Sequence, residues 1–128
     1  MKMWICSRKG VRMLFCVTCI DKPDSAALRA ATRAVHLEYM IAAAGLLRYG
    51  GPLIDEPGGG SAGSLFVIDL PGRAELDAFL ADEPYNRGGL FQSVTVRVIR
   101  QMVPETEPGF LLQELARERA AEAVSVRA

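Results

Sequence analysis

The chain contains one histidine, His36, in 128 residues, so no metal site built on two histidines is available to it. Cysteine is scarce and odd in number, at three, which suits a reducing compartment better than a disulfide framework. Charge of one sign is also lacking: 15 basic side chains face 15 acidic ones, without the basic field of a nucleic-acid-binding domain. Nor is there an apolar run of membrane length. Met13–Ile20 (MLFCVTCI) extends over eight residues and stops at Asp21-Lys22-Pro23, against about 20 for a span, and no small-residue cleavage site follows it. These absences lead us to expect a cytoplasmic protein with no nucleic-acid partner and no membrane segment.

What is present is half hydrophobic and 23% charged, which excludes disorder over most of the length. Residues 1–12 hold Lys2, Arg8, Lys9 and Arg12 and no acid, a local charge of +4, balanced by −4 over the remainder. We expect this stretch to be a loose basic extension, with structural sense starting at Met13. The main domain is expected over 13–103 and a helical tail over 104–128.

Met13–Ile20 is rich in β-branched and aromatic residues and reads as a first strand. Cys16 and Cys19 have C-x-x-C spacing, but in a strand i and i+3 face opposite sides, so we read them as small packed hydrophobes. Pro23-Asp24-Ser25 starts a helix, with Asp24 or Ser25 as its N-cap. That alanine-rich helix runs towards Gly45, which is expected to close it in the left-handed conformation. Leu28, Val35, Tyr39 and Ala42 are spaced to form its apolar face, and His36 lies off that face. Leu46–Ile54 is a second strand, and Gly50-Gly51-Pro52 marks a bend or an edge. After the connection Pro57–Gly63 come a third strand (Ser64–Leu70), a short helix (Arg73–Ala81) and a fourth strand (Phe91–Arg100).

The order β-α-β-β-α-β is that of an α+β ferredoxin-like fold, a four-stranded antiparallel sheet with two helices on one face. The first strand is apolar on both sides, whereas a sheet with one wet face should alternate. A second copy of the sheet is the simplest cover, so we expect a homodimer joined through sheet faces, a dimeric α+β barrel. An extra C-terminal helix, Phe110–Val124, follows a polar breaker at Glu105–Gly109. Its early apolar residues suggest docking by its start, and its later ones look solvated.

Gly58, Gly60 and Gly63 match G-x-G-x-x-G, yet they join two strands and open no helix, so the phosphate-binding context is missing. We expect no cofactor and no metal. Arg29, Arg33 and Met40 share the flank of His36 on its helix. Asp82-Glu83-Pro84-Tyr85 ends the second helix, where acids oppose the helix dipole.

Taken in order, several segments resemble the YciI family of YCII-related domains. They are Met13-Leu14-Phe15, Arg33-Ala34-Val35-His36-Leu37, Gly50-Gly51-Pro52, Gly63-Ser64, Asp82-Glu83-Pro84-Tyr85, Gly88-Gly89-Leu90 and Val94-Thr95-Val96. The resemblance spans roughly residues 13–103. It implies small dimeric proteins in which a histidine of the first helix and an aspartate before a proline are the proposed catalytic pair, sometimes with a serine near the third strand. Residue by residue, these fall on His36, on Glu83 (one methylene longer than the family's aspartate) and on Ser64, with Asp82 as the alternative acid. The implied chemistry is cofactor-independent acid/base catalysis: elimination, isomerisation or hydrolysis of a small molecule. Some relatives are linked to dehydrochlorination of chlorinated aromatic diols. Arg33 or Arg29 would hold an anionic or phenolate group, with Tyr85 beside them. A competing reading is a non-catalytic dimeric module for ligand binding or an accessory role, and a third is a cofactor-free α+β barrel monooxygenase.

Overall fold

The computed structural model describes residues 12–127. Four strands form one antiparallel sheet in the order β2-β3-β1-β4, where β1 is Met13–Asp21, β2 Leu47–Ile54, β3 Ser61–Leu70 and β4 Phe91–Val98. The helices are α1 (Ala26–Ala42), α2 (Arg73–Asp82), α3 (Pro84–Arg87) and α4 (Phe110–Arg127). This is a ferredoxin-like α+β fold with a helix added at the C-terminus.

Alternation along the two central strands sets the layers. Phe15, Val17 and Cys19 of β1, with Phe66, Ile68 and Leu70 of β3, point into one core. Leu76, Phe79 and Leu80 of α2 close it from the helical side, with Ala43 and Leu46 beside them. The intervening residues, Leu14, Cys16 and Thr18 opposite Asp69, Val67 and Leu65, face away from the helices. Cys19 is fully buried and Cys16 half-buried, and both are free thiols, as their strand positions require.

The close pairing of β1 with β3 depends on Gly63. A Cβ built there would lie 2.1 Å from the carbonyl oxygen of Cys19. No side chain fits, so glycine is the condition for bringing its neighbour Ser64 against the core. Strand β2 is an edge of the sheet, which accommodates Pro52 and its missing N–H.

Several sequence expectations need correction. Helix α1 buries no residue completely; Leu28, Val35 and Ile41 are exposed, and only Tyr39 and Met40 pack on the core. Of the apolar face read from its sequence, Tyr39 packs on the core and Ala42 is half-buried, while Leu28 and Val35 are left exposed. The helix ends at Ala42 with Ala43 as its cap (φ −98°), so Gly45 does not close it and lies in a short 3-10 turn, Ala44–Leu46. Ser25 is the N-cap residue but makes no capping bond through its side chain; its hydroxyl donates to the carbonyl of Pro23. Strand β3 begins at Ser61, three residues earlier than expected. Helix α3, absent from the sequence reading, follows α2 directly. The start of α4 half-buries Phe110 but leaves Leu112 and Leu115 exposed.

The N-terminal extension lies outside the described residues except for Arg12, which donates to the carboxylate and the carbonyl of Asp69. The glycine-rich run connects β2 to β3, and no helix follows it. Among the described residues no helix is long and apolar enough to cross a membrane.

Candidate active site

The site is built where α1 meets α3. Glu83 is the N-cap of α3, Pro84 occupies the first turn, and the Glu83 side chain accepts from the backbone N–H of Asn86 at 2.9 Å through Oε2. Proline at N1 loses no bond, since the first N–H groups of a helix have no intrahelical partner. The cap fixes the carboxylate, and its other oxygen, Oε1, lies 2.6 Å from Nδ1 of His36. Glu83 is 2% exposed, so the bond forms almost out of water. A backbone N–H can only donate, so Oε2 is an acceptor there. Where Oε1 accepts as well, Nδ1 is the donor and Nε2 is the ring nitrogen left for another partner. No described residue bonds to Nε2.

Tyr85, two residues beyond Glu83, supplies the floor. Its ring stacks on the imidazole with centroids 3.9 Å apart and planes 18° apart, and meets Phe91 edge-on. Arg29 covers part of the same ring, its guanidinium carbon 4.6 Å from the centroid. Burial pushes the Tyr85 phenol up from its ordinary 10.0, against the pull of Arg29 and then Arg33, so the hydroxyl stays protonated at neutral pH.

Arg29 is a fully employed cation. Nε and Nη2 grip both oxygens of Asp21 at 2.7 and 3.1 Å, and Nη2 also donates to Ser64 Oγ at 2.9 Å. Burial works against its charge, but the bonds and proximity to Asp21 prevail and raise its pKa further. Ser64, 8% exposed, is thereby fixed by its acceptor side. Cys19 lies beneath this layer, its thiol pushed up to about 12 by burial, then by the charges of Glu83 and Asp21. It is no nucleophile.

Above these groups a cleft of about 510 Å³ opens between α1 and β2. Arg33, His36 and Met40 line one wall and Tyr49, Gly50 and Gly51 the other, with Ser64 and Tyr85 deeper. At the two glycines the β2 wall is bare backbone, and a Cβ at Gly50 would crowd Phe66 at 3.2 Å.

The sequence profile of the YCII-related domain matches residues 13–100. The chain belongs to that family. Among solved structures, the 5-chloro-2-hydroxyhydroquinone dehydrochlorinase TftG from Burkholderia phenoliruptrix AC1100, in complex with 2,5-dihydroxybenzoquinone, is similar at 25% identity. The match covers 73% of this chain and 99% of that one, with a TM-score of 0.68. An antibiotic biosynthesis monooxygenase matches at 18% identity over 70% of this chain and 98% of that one, with a TM-score of 0.47. No curated protein matches the sequence significantly.

Within this YCII-related domain, the residues singled out from sequence divide into two groups. His36, Glu83, Ser64, Arg29 and Tyr85 are brought together, and Arg33 lines the same cleft. Asp82 is not among them. It borders a different groove, between α1 and α3, with Val35, Glu38 and Arg87, because it is the last residue of α2 and the chain turns before Glu83. Asp21 and Asn86 escaped the sequence reading. Asp21 ends β1 eight positions before Arg29, and that acid–arginine spacing across a strand-to-helix turn was the available signal. Asn86 contributes through its backbone and left no signal in its side chain. Among the described residues no group of three His, Cys, Asp or Glu side chains is placed to hold a metal ion.

Proposed function

We propose that this YCII-domain chain is a small-molecule enzyme working by proton transfer, with His36 as general acid/base and Glu83 as the residue that orients it. The observation that carries the reading is the 2.6 Å contact from His36 Nδ1 to a buried carboxylate. Such a contact supports the tautomer in which Nδ1 donates to the carboxylate and Nε2, on a ring lining the cleft, serves as the acid/base atom. Ser64, tied to Arg29 as an acceptor, keeps its own hydroxyl hydrogen for a substrate oxygen.

The likeness to TftG supports elimination from a halogenated, hydroxylated ring as the first reaction to test. In such a step the ring first takes its keto form, a hydroxyl proton moving to the chlorine-bearing carbon so that this carbon becomes tetrahedral. Nε2 then takes the proton of a second ring hydroxyl, the O–H pair becomes a C=O bond, the displaced ring π pair forms the new C=C bond, and chloride leaves with its bonding pair. Water then collects the proton, for a net loss of HCl. We further propose that the protein works as a homodimer joined through the sheet face bearing Cys16 and Val67.

Chloride release from a panel of chlorinated hydroquinones tests the catalytic reading. Turnover is expected from the wild type, falling by about 10²–10⁴ in His36→Gln, the usual worth of a positioned acid/base. Wild-type rates in His36→Gln would overturn it.

A further inference from the structure

Every carboxylate in or behind the cleft already has its donors. Asp21 receives Arg29 on both oxygens, Glu83 receives His36 and the Asn86 N–H, and Asp69 receives Arg12 on Oδ1 and Arg48 on Oδ2. The cations divide differently. Arg29 and Arg48 line the cleft with their charge spent on those acids, whereas Arg33 lines it with no ion pair or hydrogen bond to any described residue. Its charge nevertheless reaches the floor of the site, since it helps pull Tyr85 towards the phenolate.

We propose that the cleft selects a substrate carrying an anionic group, a carboxylate by preference, and that Arg33 is the specificity-determining residue. This rests on reading the cleft as the substrate site. A guanidinium presents five donors in a planar fork that matches the two oxygens of a carboxylate, and here no described residue matches that fork. Arg33 and His36 are three residues apart on one helix, so they sit side by side on one wall of the cleft. A single small molecule can therefore meet both. The apolar lining from Leu37, Met40 and Phe66 takes the ring faces. The class that fits is an aromatic or cyclic acid, in preference to a neutral quinol of the same size.

Calorimetric titration with 2,5-dihydroxybenzoate and its uncharged amide, 2,5-dihydroxybenzamide, tests this on the full chain. The wild type is expected to bind the acid about tenfold or more tightly than the amide, as a charge-assisted pair provides. Arg33→Gln loses that preference by weakening the acid alone, and Arg33→Lys, with the charge but not the fork, keeps part of it. His36→Gln retains the preference. Equal affinity for the two probes in the wild type, a preference that survives Arg33→Gln, or no binding of either probe overturns the proposal. If anion preference holds while chloride release proves independent of His36, the acid/base reading fails and anion selection stands.

Discussion

Glu83 serves His36 with one carboxylate oxygen and the first turn of α3 with the other, at 2.6 and 2.9 Å. The cap of α3 and the partner of the imidazole are the same side chain. Glu83 thus ties α3 to α1 through one carboxylate.

Two substitutions separate the roles. Glu83→Gln keeps an oxygen for the Asn86 N–H but removes the charge facing the imidazole, so the fold is retained while kcat drops by roughly 10²–10³, within the usual range for acid/base assistance. Glu83→Asp keeps the charge and the cap but shortens the reach, and is expected to lose activity with little change in thermal midpoint. Paired melting curves and turnover measurements check both.

Gly63→Ala tests the β1–β3 contact. Because the added methyl would meet the Cys19 carbonyl at 2.1 Å, the strands must separate. A loss of about 2–4 kcal/mol is expected, in the range of overpacked or strained core positions. The urea midpoint reports it, and a midpoint equal to wild type would show that the strands yield freely.

Alkaline conditions should weaken the fold before general denaturation. The Cys19 thiol is raised from its ordinary 9.0 to about 12 and the Tyr85 phenol is raised from 10.0, both first by burial. The folded protein thus keeps protons that the unfolded chain releases. The stabilisation is complete below pH 9 and is lost as pH climbs towards 12, at about 1.4 kcal/mol per pH unit for each such proton. Urea titrations at pH 8, 9.5 and 10.5 reveal the slope, and Cys19→Ala flattens it.

The sheet face opposite the helices carries Cys16 and Val67 directly across from one another, with Leu65 and Tyr49 nearby. Sedimentation is expected to give twice the 13.9 kDa chain mass. Val67→Arg, which sets a charge at the centre of that face, is expected to give a monomer with its far-ultraviolet circular dichroism unchanged.

Strands β1 and β3 and helix α2 were legible in the sequence because their burial follows period-two and period-3.6 patterns, whereas β2 and β4 are exposed almost throughout and were legible from residue type and flanking turn residues. Phe15, Val17 and Cys19 alternate cleanly, and Leu76, Phe79 and Leu80 share one helical face. Helix α1 misled in part because Leu28 (39% exposed) and Val35 (54%) of its expected apolar face do not pack, whereas Tyr39 of that face does. A pattern of hydrophobicity cannot reveal that Asp21 will seize Arg29 or that Glu83 will seize His36 from 47 positions away. The pairing of His36 with an acid next to Pro84 followed from the family resemblance. The choice between Asp82 and Glu83 needed the turn between α2 and α3, and one residue decides which carboxylate faces α1.

The mooring of α1 has a kinetic corollary. With no fully buried residue, the helix is held by the ties of Arg29 to β1 and β3, of His36 to Glu83 before α3, and of Tyr39 to the carbonyl of Phe79 in α2 at 2.7 Å. Such ties cede to solvent more readily than packed hydrocarbon does. Backbone amides of α1 should trade hydrogen for deuterium well ahead of those in β1 and β3, and an occupant bridging α1 to β2 should slow them. The element that carries the base would then be the first part of the molecule to breathe, and the first to be quieted by what it works on.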